Sequence, residues 1–388
     1  VEKLSRALLI SALLAATGAL AVISAGGGLG SAGPLVVAFF ICLATGAMGH
    51  SRLRAHAFTI WIFAGVAAAM YYPSTFQEAG GFDLNRLIVP LVQIIMFGMG
   101  TSMSPSDFAG VVKTPRGVLV GLTCQLTMMP LIAVTLVWLF DFPPEIGAGI
   151  VLIGSAPSGV ASNVMAFIAK ANVALSITLT AVATMLAPLT TPALMKLLAG
   201  QLVPVDFFAM MWGVIRMVIL PIVLGLVVHK ALERRSGAMG RVMPVVSMVG
   251  IAAAITIITA AGRDALLTIG PLLFLAAVLH NALGYTLGYW GCRLVGLDEQ
   301  SCRTISIEVG MQNGGLASGL AQEMGRVATV GLAPAIFSSW MNVTGSALAN
   351  WFRNRPSAGA VAAPQGSEDG TTARSAAARA GQTTERPL

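Results

Sequence analysis

Residues 304–318 read Thr304-Ile-Ser-Ile-Glu308-Val-Gly310-Met-Gln312-Asn313-Gly314-Gly315-Leu-Ala-Ser318, a carboxylate, two amides and three glycines inside an otherwise apolar run. A charged side chain at bilayer depth costs roughly 3 kcal/mol or more, so Glu308 requires a cation, a proton or a water-filled cavity beside it. The glycines let the backbone leave the helix, and the carbonyls so freed, with Gln312 and Asn313, are hard oxygen ligands of the kind a small cation takes. The chemistry expected is cation binding on a broken transmembrane helix. The alternative is a glycine-rich packing face carrying a protonated, hydrogen-bonded glutamate.

A second interruption is expected at Gly154-Ser-Ala-Pro157-Ser158-Gly159-Val160-Ala161-Ser162-Asn163. Pro157 removes an amide donor and clashes with the preceding turn, leaving a helix N-terminus whose free N–H groups favour an anion. Ser162 and Asn163 add side-chain oxygens just beyond it. In the next apolar run Ser176, Thr180 and Thr184 recur at i, i+4 and i+8, a stripe of hydroxyls on one helix face. Such hydroxyls also commonly bond back to their own helix carbonyls. Gln125 is an amide in the middle of an apolar run, either interhelical glue or a further oxygen ligand. His280-Asn281 reads as a packed, hydrogen-bonded pair. Arg216 lies inside another apolar run, where it snorkels or pairs with a partner the sequence does not identify.

The elements that hold these residues follow from composition. Of 388 residues, 56% are hydrophobic and 10% charged, and the mean hydropathy is +0.82. Soluble domains carry about 25% charged residues, so the chain is expected to be an all-α integral membrane protein; the apolar runs are too long for barrel strands. Cys42, Cys124, Cys292 and Cys302 lie in or beside apolar runs without paired spacing, and the four histidines form no ligand cluster, which excludes a disulfide framework and a zinc site. The net charge of +7 comes from basic residues at the ends of apolar runs, which fits membrane orientation and not nucleic-acid binding.

Twelve spans are expected at roughly 20 residues each: about 6–25, 34–50, 57–74, 86–102, 117–140, 146–169, 172–199, 206–229, 242–262, 267–292, 303–322 and 328–352. Alternating sides places fifteen Lys and Arg with the N-terminus, among them Arg52, Arg54, Arg234, Arg235 and Arg241. Only Arg86, Lys196, Arg263 and Arg326 fall opposite. That bias predicts cytoplasmic termini in an inner (plasma) membrane, in contact with lipid. The first run, after Glu2-Lys3-Leu-Ser-Arg6, also resembles a signal peptide; a retained helix fits better because a second span follows an uncharged turn. Residues 353–388 are expected to be a disordered cytoplasmic tail.

Residues 1–52 would thus supply two additional N-terminal helices, with five-helix units over 53–200 and 201–352. An odd number of helices per unit makes the second enter the membrane from the opposite side, the condition for an inverted repeat. Ser158-Gly-Val-Ala-Ser162 and Gly314-Gly-Leu-Ala-Ser318 echo each other in the fourth span of each unit.

Several motifs together resemble the bile acid:sodium symporter family: Ala161-Ser-Asn-Val164, Ala171-Asn-Val-Ala-Leu-Ser176, Leu186-Ala-Pro188 with Thr191-Pro192, and Ile307-Glu-Val-Gly-Met-Gln-Asn313. Met96-Phe-Gly-Met-Gly100, Pro105-Ser-Asp-Phe108, Leu220-Pro-Ile-Val-Leu-Gly225 and His280-Asn281 support them, and the resemblance spans residues 55–352. It implies a ten-helix core of two inverted five-helix repeats, divided into a panel and a core domain, with two discontinuous helices crossing near the membrane middle. It further implies two Na+ ions behind the crossing. One would use Ser162, Asn163, Ser176, Thr180 and Glu308. The other would use Gln125, Glu308, Val309, Met311 and Gln312, with main-chain carbonyls at Val309 and Met311. Asn313, with Val160 and Ala161 at the start of the second half-helix, would face the substrate. The chain departs from the family where Val160 replaces a small or hydroxyl-bearing residue and Gly314 replaces a serine, so the cation ligands carry over more fully than the substrate contacts.

The resulting expectation is a sodium-coupled symporter of a small organic anion, a small carboxylate or a bile-acid-like molecule, working by alternating access and not an enzyme. Two rivals stand beside it: a proton-coupled carrier with Glu308 as the proton site, and an intramembrane serine hydrolase using Ser158 or Ser162 with His280 as base. Nothing in the chain specifies an oligomeric state.

Overall fold

The computed structural model describes residues 2–26, 28–50, 53, 56–104, 107, 110–231 and 236–355. Of the residues expected to form the tail, 353–355 are described and Arg353 closes the last helix instead, while 356–388 lie outside the described residues, as do Arg52, Arg54, Arg234 and Arg235 and most of the Pro105–Phe108 motif. Residues up to Arg355 belong to one compact unit.

The described chain is helical almost throughout. In order it forms α1 (Glu2–Ser24), α2 (Gly33–Met48), α3 (Ala57–Tyr71), α4 (Leu84–Ser102), α5 (Pro115–Leu139), α6 (Pro144–Gly154), α7 (Ala161–Ile168) and α8 (Val173–Ala199). It continues with α9 (Phe207–Ala231), α10 (Ser236–Ala261), α11 (Arg263–Leu294), α12 (Glu299–Gly310), α13 (Gly314–Glu323) and α14 (Leu332–Arg353). Among the described residues six of these, α1, α4, α5, α8, α9 and α11, are long and apolar enough to cross a membrane, and shorter apolar helices accompany them. The protein is therefore an all-α membrane protein. Each expected span contains a helix, and the spans at 146–169 and 303–322 are each split in two, α6 with α7 and α12 with α13. A two-stranded hairpin, β1 (Glu78–Ala79) with β2 (Phe82–Asp83), joins α3 to α4 and was not foreseen.

Packing sorts the helices. α4 lies against α9 and α10, and α10 also against α3. The broken pairs, with α5, α8, α11 and α14, pack among themselves; α11 runs along α12, and α14 touches α6, α7 and α13. α1 packs on α2, and α2 on α3. Leu4, Ile10, Leu13, Leu14 and Leu20 are left exposed on α1, as a face bathed in lipid would be.

Two helices carry a widened π turn, Cys124–Met128 in α5 and Ile215–Ile219 in α9. Each stands directly ahead of a proline, Pro130 and Pro221. A proline has no N–H to donate and its ring crowds the carbonyl four residues back, and a wider turn relieves both problems. Gln125 and Arg216, the two lone polar residues singled out from apolar runs, sit on these turns.

Candidate functional site

The break in the first split span covers 155–160, between α6 and α7; in the second, Met311, Gln312 and Asn313 separate α12 from α13. Each break frees backbone groups that hydrocarbon cannot satisfy. The two breaks satisfy each other. Ser158 and Gln312 form an antiparallel bridge, the Gly159 amide donates to the Met311 carbonyl at 3.0 Å, and the Asn313 amide donates to the Pro157 carbonyl at 2.7 Å. Glycine at 159 permits the approach, since a Cβ there would stand 3.0 Å from the Gln312 carbonyl oxygen.

Glu308, one turn before the second break, is buried. Its Oε1 accepts from Ser176 Oγ at 2.5 Å and its Oε2 from Thr180 Oγ1 at 2.9 Å. Both hydroxyls also face Asn163 Oδ1, at 2.8 and 3.2 Å. Ser162 Oγ lies 3.4 Å from Thr180 Oγ1 and donates to the Gly159 carbonyl at 2.6 Å. Ser158 Oγ lies 3.5 Å from Thr180 Oγ1, so four hydroxyls gather near the carboxylate, and no cationic side chain is ion-paired with Glu308 among the described residues. The cluster is short of positive charge, and a bound cation or an added proton supplies it. Ser162, Asn163, Ser176, Thr180 and Glu308 are thus all brought together. No group of three or more His, Cys, Asp or Glu side chains forms a metal site among the described residues. One carboxylate among neutral oxygens suits a monovalent ion better than a divalent one, which gathers several carboxylates.

Of the second expected set, Gln125, Gln312 and Val309 are linked to one another by hydrogen bonds. Gln125 Nε2 donates to the Ala156 carbonyl at 2.9 Å and to Gln312 Oε1 at 2.5 Å, and Gln312 Nε2 donates to the Val309 carbonyl at 2.8 Å. Gln125 Oε1 is buried without a hydrogen-bond partner. The Val309 and Met311 carbonyls each hold one hydrogen bond, from Gln312 and Gly159, and keep a second lone pair. An orphaned buried amide oxygen is a donor atom of the kind a further small cation takes.

Of the residues expected to face a substrate, Asn313 is buried and caps α13, its Oδ1 accepting from the Leu316 amide at 3.0 Å, with Nδ2 3.9 Å from Met96 Sδ. Val160 and Ala161 are half-buried at the start of α7. Of the hydroxyl stripe, Thr184 departs from its neighbours: its Oγ1 is buried and unpartnered.

Other contacts hold the site in place. Asn281 Nδ2 donates to the Gly310 carbonyl at 2.7 Å, taking one of the orphan acceptors at the end of α12, and its Oδ1 accepts from Thr344 at 2.5 Å. The sequence marks Asn281 as a hydrogen-bonded residue but not what it holds. Asp298 caps the start of α12, accepting from the Ser301 amide at 3.0 Å and hydroxyl at 2.6 Å. Burial pushes its carboxyl upward, and the Ser301 hydroxyl and amide outweigh that and hold it below the usual aspartate range. Arg303, buried on α12, donates to Glu299 at 2.9 Å and to the Phe352 carbonyl at 2.9 Å, pinning α12 to the end of α14. Arg216 finds its partner in Glu323. The arrangement does not favour a serine hydrolase: Ser158 and Ser162 turn to Thr180 and the Gly159 carbonyl, while His280 Nε2 meets the Met129 carbonyl at 3.2 Å.

Residues 89–269 match the family model described as Sodium Bile acid symporter family, a match that stops short of Glu308. Over 306 residues the chain is 36% identical to the uncharacterized sodium-dependent transporter YocS of Bacillus subtilis (strain 168), covering 79% of this chain and 93% of that protein. It is 35% identical over 302 residues to the probable sodium/metabolite cotransporter BASS1, chloroplastic, of Arabidopsis thaliana, covering 77% of this chain and 74% of that one. With the probable sodium/metabolite cotransporter BASS2, chloroplastic, of Oryza sativa subsp. japonica it shares 32% identity over 305 residues, 77% of this chain and 70% of that one.

Proposed function

The chain belongs to the sodium bile acid symporter family, and from that premise we propose that it is a symporter drawing a small organic anion across the membrane with sodium. The observation that carries the reading is a buried Glu308 carboxylate set among hydroxyl and amide oxygens, with no cationic side chain ion-paired to it among the described residues. One sodium ion fills that cluster; a second takes Gln125 Oε1 with Glu308, Gln312 and the Val309 and Met311 carbonyls. Two ions against one carboxylate leave one positive charge, which an anion at the crossing balances. Ion and substrate therefore favour each other's binding.

The ions also join elements already linked by hydrogen bonds through Glu308 and Asn163. Glu308 belongs to α12, Ser162 and Asn163 to α7, and Ser176 and Thr180 to α8, so filling the cluster ties three helices into one body. Rocking of the α3, α4, α9 and α10 group against it then exposes the crossing to each side in turn, on the plan of two inverted five-helix repeats. The proton-coupled alternative retains one supporting fact, that a proton on Glu308 also removes the unpaired buried charge.

The test is uptake of pantoate and of taurocholate by protein reconstituted into proteoliposomes under an inward sodium gradient, at fixed pH. Uptake of at least one probe is expected, falling to background when choline replaces sodium or when Glu308 is changed to alanine. Uptake indifferent to choline and following an imposed pH gradient would transfer the role to protons.

A further inference from the structure

Arg216 lies within α9, roughly 14 Å from its start at 1.5 Å per residue, on the π turn Ile215–Ile219. A cation inside an apolar span marks a substrate pathway more often than a packing accident. Its guanidinium pairs with Glu323, the last residue of α13, so the pair joins α9 to the outer half of the broken helix. Two cavities meet at this pair. One, of about 470 Å³, is also lined by Arg86, Gln93 and Gln322, and the other, of about 600 Å³, by Asp206 and Arg326. Arg86 is exposed and has no ion-pair partner among the described residues.

Inward from the pair the seam between α13 and its neighbours is closed by glycine contacts. At the pair itself a Cβ on Gly213 would collide with the Glu323 carboxylate, and further along α13 one on Gly319 would stand 2.9 Å from Met217 Sδ and 3.5 Å from Val92. Deeper still, Met96 Sδ lies 3.9 Å from Asn313 Nδ2, at the second break. The seam thus runs from the Arg216–Glu323 pair down α13, roughly 14 Å, to the crossing.

The pair is built for exchange. The Arg216 side chain is 54% exposed and that of Glu323 17%, so the guanidinium is the accessible partner and the carboxylate the covered one. The π turn leaves the Arg216 carbonyl to accept from Gln93 Nε2 at 3.3 Å, which holds the backbone while the side chain is free to swap partners. A guanidinium fork takes any carboxylate or sulfonate of similar shape.

We infer that Arg216 recognises the anionic head of the substrate on the Arg86 side of the protein, and that Glu323 occupies its fork as an internal stand-in while the seam is shut. Arrival of the substrate anion displaces Glu323, releases α13 from α9 and opens the way to the crossing. The inference rests on the reading of the chain as a sodium-coupled anion carrier.

Uptake kinetics of pantoate and taurocholate in proteoliposomes test it, with sodium-induced thermal stabilisation measured on every variant to confirm an intact fold and cation site. Arg216→Gln is expected to raise KM about tenfold while leaving the sodium shift unchanged. Glu323→Gln, which removes the internal competitor, is expected to lower KM about threefold. The exchange R216E with E323R restores an ion pair but moves the positive charge onto α13, and uptake is expected to stay impaired. Recovery of wild-type KM in the exchanged protein would make the pair a structural tie and overturn the inference, as would an unchanged KM in Arg216→Gln. If Arg216→Gln loses the sodium shift as well, Glu323→Gln decides alone, and a KM equal to or above wild type overturns the inference. Absence of wild-type uptake for both probes would instead count against the transport reading itself.

Discussion

Glu308 is a buried carboxylate held by neutral oxygens, and each hydroxyl that donates to it carries a measurable weight. Thr180 donates to Glu308 Oε2 at 2.9 Å and faces Asn163 and Ser162 as well. A hydrogen bond to a charged group contributes about 1.5–3 kcal/mol, so Thr180→Val should raise the sodium concentration for half-maximal thermal stabilisation roughly tenfold. Thr178 is the matched control on the same helix. Its hydroxyl goes to the Asp107 and Ala174 carbonyls, and Thr178→Val should leave sodium affinity unchanged. The hydroxyl stripe and Glu308 were legible in the sequence because i, i+4 spacing fixes which side chains share a face and because an acid in oil demands company. The partners of Asn281 and of Arg216 were not, since each depends on which helices become neighbours.

The helices around the site are positioned by their ends and their irregular turns. Asp298 caps α12 through Ser301, and losing such a cap costs about 0.5–2 kcal/mol. Asp298→Ala should therefore lower the melting temperature at neutral pH. The direction with pH follows from its lowered carboxyl. The cap's contribution is complete above the ordinary aspartate range and is lost as the pH falls through the depressed folded value, so the difference between Asp298→Ala and the parent should narrow only in strong acid. The π turn in α5 makes a different prediction. Without Pro130 the turn loses the reason for its width, and Pro130→Ala should tighten Cys124–Met128 to ordinary helix. Gln125 then rotates away from Gln312 and Ala156, and sodium affinity should fall in the thermal-shift titration while the melting temperature without sodium holds or rises. Sequence spacing located the broken helices because Pro157 and the glycines announce them. It left the π turns unseen, because a single added residue in a turn does not alter an apolar run.

Across the whole chain the site belongs to residues well removed from the N-terminal pair α1 and α2, which pack on each other and reach the rest through α3. Ser5 Oγ donates to the Gly46 carbonyl at 2.6 Å, so this hairpin closes largely on itself. Removing residues 1–50 takes away two spans at once and leaves the sidedness of those that follow intact. Sodium-dependent uptake should persist in such a variant with KM within about twofold of the parent, provided the uptake proposed above is observed; its loss would give the hairpin a part in the cycle. The Ser158–Gln312 bridge carries a last implication. Because this rung is made of peptide groups, no single side-chain replacement can erase it outright. In a saturation mutagenesis survey, proline at Gly159 or Asn313, which strips out a donor amide, should therefore be the harshest substitution at the crossing, beyond what size or polarity would rank it.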